Sequence, residues 1–129
     1  MDYKEMLSMA KELLNPRKTN HYLKLSDTVC VMETINGNIY RGISLVARCG
    51  LGYCSEQSCI VQMINNGETK IKQFLTIDKN GNPISPCGRC IELITQIDSE
   101  NHGAIFFIGD NVTKSIKDVQ LLDWKGNNY

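Results

Sequence analysis

The 129-residue chain has no surplus of charge: 14 Lys and Arg balance 14 Asp and Glu, for a formal net charge of zero. Without a basic excess it advertises no general affinity for nucleic acid or for an anionic membrane surface. Long apolar runs are missing too. The longest, around residues 104–108, has strand length against the roughly 20 residues of a membrane span. The N-terminal stretch lacks the unbroken apolar core of a secretory signal, because Asp2, Lys4, Glu5, Lys11 and Glu12 interrupt it. A cytoplasmic, reducing setting is therefore expected. Repeats, low-complexity stretches and linkers are absent, so residues 1–129 are expected to form one domain.

Cysteine, by contrast, is abundant, with six residues in a chain that is 42% hydrophobic and 22% charged. In a reducing compartment cysteines bind metal, do chemistry or fill core space more often than they form bridges. Their positions must therefore be read against the secondary-structure pattern.

Met6, Met9, Ala10, Leu13 and Leu14 make the apolar stripe of a first helix, ended by Asn15-Pro16. Residues 25–34 have strand composition, and Asn36-Gly37 signals a hairpin into a second strand over 39–46. Cys59, Ile60, Met63 and Ile64 mark a second helix closed by Asn66-Gly67. A third strand over 70–78 and a turn over 79–83 lead to a third helix beginning near Pro86 and carrying Cys90, Ile91, Ile94 and Ile97. Strands over 103–108 and 112–116 flank Gly109-Asp110-Asn111, and a short helix over 117–122 follows. The fold class is α/β, with the order α-β-β-α-β-α-β-β-α. Right-handed crossovers would put the second and third helices on one face, with both N-termini at the sheet edge where open α/β folds build their sites.

Cys54-Ser55-Glu56 starts the second helix and Pro86-Cys87-Gly88-Arg89-Cys90 starts the third. Cys87 and Cys90, three apart on a helical turn, suit two thiolates on one tetrahedral zinc, and Cys54 supplies a third from the neighbouring helix. Three protein ligands leave a fourth position for water, and Glu56, two residues from a ligand, is set to handle that water's protons. A structural four-cysteine zinc site and a thioredoxin-like redox pair compete with this reading. The redox reading gives no role to Cys54 or Glu56. Cys30 and Cys59 read as core, Cys49 as a pocket residue or a stray thiol, and His21 and His102 as surface residues.

The combination Cys-x-Glu followed by Pro-Cys-x-x-Cys resembles the zinc-dependent cytidine deaminase superfamily. Ser85-Pro86-Cys87-Gly88-Arg89-Cys90 is similar to the corresponding motif of the blasticidin S deaminases. The hairpin Asn36-Gly37-Asn38-Ile39-Tyr40-Arg41-Gly42 and the pair Leu121-Leu122 are looser likenesses to that family. The resemblance implies a three-layer α-β-α fold around a five-stranded mixed sheet. It also implies Zn2+ on Cys54, Cys87 and Cys90, with Glu56 as the catalytic proton carrier. By the same resemblance the Ser55 backbone N–H would hold a pyrimidine 2-oxo group and the Ser85 C=O would accept from the 4-amino group. Three thiolates and one zinc sum to −1, and Arg89 is the candidate that compensates this charge, since Gln57 stands where many relatives have arginine. The implied partner is a small cytosine nucleoside or analogue, without nucleic acid or membrane, and the implied assembly a homotetramer or homodimer. Deamination of a base within nucleic acid and a catalytically silent zinc protein are the alternatives.

The substrate-gripping positions depart from the family. Its Asn-x-Glu on the second strand reads Ser44 and Val46 here, and valine cannot accept a hydrogen bond. Such a loss changes substrate choice more than it changes chemistry. Tyr53, Trp124 and Tyr129 are the aromatic residues that could restore stacking.

Overall fold

The computed structural model describes residues 1–126. Helix α1 (Tyr3–Leu13) starts where the Asp2 carboxylate accepts the Glu5 N–H at 2.8 Å. Strand β1 (Arg17–Lys18) precedes the hairpin of β2 (Lys24–Thr34) and β3 (Ile39–Val46). That turn uses Gly37 at φ 84°, a left-handed conformation glycine adopts without steric cost. Then follow α2 (Ser55–Asn65), β4 (Ile71–Ile77), β5 (Pro83–Ile84), α3 (Gly88–Ile97), β6 (Ile105–Gly109), β7 (Val112–Ser115) and α4 (Ile116–Val119).

All five expected strands are present, and β1 and β5 are two-residue additions that pair with β2 and β4. Three boundary differences have an evident local cause, the others being shifts of a single residue. Helix α3 begins at Gly88 rather than near Pro86, because Cys87 is extended (φ −75°, ψ 164°) and serves as its N-cap. Strand β6 begins at Ile105 because Ser99–Gly103 coil into a 3-10 turn. Helix α4 is shorter, leaving helical geometry at Gln120 (φ −101°, ψ 89°).

Strands β3, β2, β4, β6 and β7 lie side by side, with β4 and β6 parallel and the other neighbours antiparallel. Successive strand residues face opposite sides. Cys30, Met32, Phe74 and Phe106 pack with Cys59, Ile60, Met63 and Ile94 of α2 and α3. Val29, Val31, Leu75, Ile77 and Phe107 pack with Met6 and Ala10 of α1. The sheet is thus covered on both faces, giving three α-β-α layers. Each large side chain so buried contributes about 1.5–3 kcal/mol.

Two buried polar residues tie the layers at the end away from the motifs. Asn101, fully buried, donates to Thr69 O at 2.9 Å and Ile94 O at 3.0 Å and accepts from the Ile71 N–H at 2.8 Å. Glu68 accepts from Asn36 Nδ2 at 3.1 Å, Asn38 Nδ2 at 3.0 Å and Tyr40 Oη at 2.7 Å, binding the hairpin to the α2–β4 connection.

Two backbone approaches hold the start of α2. A Cβ built at Gly42 would lie 2.6 Å from Ser58 Cβ and 2.7 Å from the Ser55 carbonyl oxygen, so only a glycine in β3 admits the helix this close. Leu45 and Tyr53 exchange both backbone hydrogen bonds, at 3.0 and 2.9 Å, closing the loop that leads into Cys54.

Candidate metal centre and reaction cavity

Helices α2 and α3 start at neighbouring points, and each is capped by a motif cysteine. Cys54 is the N-cap of α2, where its N–H donates to Gln57 Oε1 at 3.0 Å. The Gln57 side chain is therefore occupied as a helix cap. Cys87 caps α3, and Cys90 lies in that helix's first turn. The Sγ atoms of Cys54 and Cys87 are 3.5 Å apart, those of Cys87 and Cys90 are 3.4 Å apart, and all three lie within 4.8 Å of one another. A tetrahedron with zinc–sulfur bonds of about 2.3 Å has edges of about 3.8 Å, so this donor set fits a metal with one vertex left open. Cys90 is buried, Cys54 half-buried and Cys87 exposed, which turns the open side toward solvent.

The thiols are unequal. Burial, opposed in part by a hydrogen bond with Cys90, raises Cys54 above the ordinary thiol value. Burial and the neighbouring Glu56 charge push Cys90 well up. Cys87 also feels burial, but hydrogen bonds from the Cys90 backbone N–H and from the Cys90 and Cys54 side chains outweigh it and lower that thiol. Two helix N-termini converging on one point favour negative charge there, as a thiolate cluster requires.

Glu56 is only 4% exposed. It accepts from Thr76 Oγ1 at 2.5 Å and from Cys90 Sγ at 3.4 Å, so β4 and the cysteine cluster fix both carboxylate oxygens. Glu56, Cys54 and Cys87 line a cavity of about 380 Å³, into which Ser44, Ser85 and Arg89 also face. Arg89 remains exposed at its rim. Ser44 Oγ accepts from the Thr28 N–H at 2.9 Å. Ser55 is fully buried behind the wall, its hydroxyl 2.9 Å from Thr28 Oγ1.

The remaining candidates divide cleanly. Tyr53 is in the cavity wall. Trp124 lies instead beside α3, 73% exposed, with Nε1 donating to Glu92 at 2.5 Å, and Tyr129 falls outside the described residues. Cys30 and Cys59 are fully buried in the core, whereas Cys49 is exposed. Neither histidine belongs to the cysteine cluster: His21 Nε2 is 3.1 Å from Arg48 Nη2 and His102 Nε2 is 3.0 Å from Asp123. Sequence reasoning missed Thr76, Thr28 and Asp27, all of which line the cavity.

The three-layer architecture is that of the cytidine-deaminase-like fold. A mutant cytidine deaminase from Mycobacterium tuberculosis matches with a TM-score of 0.77 at 15% identity, over 100% of this chain and 99% of that one. The Burkholderia pseudomallei cytidine deaminase matches at 0.70 and 17% identity, over 92% of this chain and 96% of its own. The Mycobacterium leprae cytidine deaminase matches at 0.68 and 17% identity, over 92% of each chain. No protein-family model matches the sequence. Among the described residues, no helix is long and apolar enough to cross a membrane.

Proposed function

We propose that the chain is a zinc-dependent hydrolytic deaminase that converts the 4-amino group of a small cytosine compound to a 4-oxo group. The observation that carries this reading is the buried Glu56 carboxylate in hydrogen-bond contact with a three-thiol cluster on the wall of an open cavity. A structural metal site has no need of such a carboxylate.

Cys54, Cys87 and Cys90 would hold a zinc ion, which when bound would supply the Lewis acidity that makes water a nucleophile near neutral pH. Glu56 takes one proton from the attacking water and passes it to the ring nitrogen, then takes the second from the new 4-hydroxyl and passes it to the departing amine. The water oxygen becomes the new 4-oxo group and the C4–N bond breaks, releasing ammonia. Thr76 holds Glu56 in position through its hydroxyl. The Ser55 N–H and the Ser85 C=O orient the 2-oxo and 4-amino groups, and Arg89 offsets the −1 sum of three thiolates and zinc. Ser44 and Val46 make a grip on ribose different from Asn-x-Glu, so the substrate range includes cytosine nucleoside analogues, blasticidin S among them. The protein in this reading is a single-domain cytoplasmic enzyme, assembled as a homotetramer or homodimer.

The test is ammonia release from cytosine, cytidine, deoxycytidine and blasticidin S by zinc-loaded protein, with metal content measured alongside. Glu56→Gln keeps its zinc and loses turnover by about 10²–10⁴-fold. Retained turnover removes Glu56 from the mechanism, and no activity on any of the four compounds ends the proposal.

A further inference from the structure

A second cavity, of about 230 Å³, adjoins the reaction cavity, and Lys18, His21, Tyr22, Lys24, Val46 and Arg48 are in its wall. Val46 belongs to the walls of both cavities. Among the described residues no aspartate or glutamate lines the second one, although the chain as a whole carries equal numbers of acidic and basic residues. Its positive character is therefore local, set by the fold rather than by composition.

The cations are brought together against their mutual repulsion. Strand β1 pairs with β2 so that Lys18 stands directly opposite Lys24, and like charges facing each other across a ladder are destabilising. Of Lys18, Lys24 and Arg48, only Lys24 has a carboxylate partner among the described residues, Asp27 Oδ2 at 3.1 Å on the reaction-cavity side. Three permanent cations against one carboxylate leave a surplus of two positive charges, which an entering anion relieves. Arg48 is moreover held in place. Its guanidinium carbon lies 5.5 Å from the centroid of the Tyr22 ring, and its Nη2 donates to His21 Nε2 at 3.1 Å. Asn20 Oδ1 in turn accepts the Tyr22 and Leu23 N–H groups at 2.8 and 3.1 Å, fixing the loop that carries the ring. A guanidinium so positioned keeps its other N–H groups for an oxyanion and loses little freedom when one binds.

Resting on the deaminase reading above, we propose that this basic pocket is a subsite for an oxyanion, phosphate or carboxylate, borne by the substituent on the substrate's pyrimidine ring. Val46 is the threshold between the two cavities. An anion crossing it meets an uncharged side chain, and the one carboxylate nearby, Asp27, is already held by Lys24. Lys18 and Arg48, whose charges no carboxylate offsets, are the residues that would select an anionic substrate over a neutral one.

The experiment measures binding rather than turnover. The zinc-loaded full-length protein is titrated calorimetrically with product-like ligands that differ only at the outermost carbon of the sugar: uridine, uridine 5′-monophosphate and uridine-5′-carboxylic acid. At least one of the two anions is expected to bind about 10- to 100-fold tighter than uridine, the range for a hydrogen bond to a charged group. The anion with the larger gain names the group the pocket takes. The double variant Lys18→Gln/Arg48→Gln brings that ratio to near one, whereas Arg48→Lys, which keeps the charge without the planar fork, retains part of it. Lys18 and Arg48 are both exposed, so neither substitution disturbs the core. Equal affinity of the parent for all three ligands, a ratio that the double variant leaves unchanged, or no binding of any of them overturns the proposal. Ammonia release by the parent from cytidine and cytidine 5′-monophosphate is scored separately, so loss of the anion subsite and loss of the deaminase reading are distinguishable.

Discussion

Replacing Gly42 by alanine places a methyl group 2.6 Å from Ser58 Cβ and 2.7 Å from the Ser55 carbonyl oxygen. Carbon atoms pack best at about 3.5–4.0 Å, so the first turn of α2 must withdraw from β3 by about 1 Å. The Ser58 hydroxyl can rotate, but Ser58 Cβ and the Ser55 carbonyl are fixed to the helix and move only with it. Overpacking of this kind costs about 1–3 kcal/mol, and the melting temperature of a chain this size falls by about 4–12 °C in consequence. The damage is directional. Ser55 to Ser58 is the turn that carries Glu56 and adjoins Cys54, so the same shift loosens the three-thiol cluster and weakens metal retention beyond what the lost stability alone explains. The assays are thermal melting of the metal-free and metal-loaded protein and competition for zinc with a chromogenic chelator. Gly103→Ala is the control, since a Cβ there has open space and no left-handed backbone to strain. A Gly42→Ala protein that melts within about 1 °C of the parent and holds zinc equally well would refute the claim that this contact sets the helix position.

Thr76→Val keeps the shape of that residue but removes the donor to Glu56; turnover is expected to fall by about tenfold or more while zinc stoichiometry stays at that of the parent. Glu68→Gln gives up charged hydrogen bonds and is expected to lose about 1–3 kcal/mol in denaturant titrations at pH 7. The Thr34 hydroxyl, with Tyr40, Asn38 and Asn36, holds the Glu68 carboxyl down to about 2 from its ordinary 4.5. Its contribution is therefore full above about pH 4.5 and is lost as the pH falls toward 2, so the gap in melting temperature between parent and Glu68→Gln narrows over that window. Phe74→Ala empties a fully buried site and is expected to cost about 3–5 kcal/mol by equilibrium unfolding. Stripping the metal with a chelator should lower the melting temperature, and readdition of zinc at about 1,000 times its dissociation constant should restore about 4 kcal/mol; a chain indifferent to both treatments has no site of the proposed kind.

The sequence made the skeleton of the site legible because thiolate clusters demand particular spacings. Cys87 and Cys90, three positions apart, meet here because the first turn of α3 lies between them. The hairpin was legible through Asn36-Gly37, and the core cysteines through their places in apolar stripes. Residues whose role depends on contacts distant in sequence were not. Thr76 looks like any β-branched strand residue until β4 delivers it to Glu56, 20 positions away. Gln57 reads as the loss of an arginine, whereas its side chain closes the cap of α2. Asp27 and Thr28 sit where the register of β2 against β3 shifts between Leu25 and Val29, and nothing in their types announces that shift. The start of α3 was misjudged because proline tolerates the first helical turn, which made Pro86 a plausible beginning although the extended Cys87 defers it to Gly88.

The exchange of hydrogen bonds between Leu45 and Tyr53 bears on the order in which the site can form. The bridge closes the intervening chain into a short ring, and for about seven residues the length-dependent part of closing such a ring is about 2 kcal/mol of chain entropy. Folding of the protein absorbs that term, so an arriving ion need not. Cys54 waits next to a pinned residue rather than at the end of a searching loop. Metal capture then resembles occupation of a preset cage, and the rate of uptake should be governed by ion dehydration and thiol deprotonation instead of by backbone rearrangement.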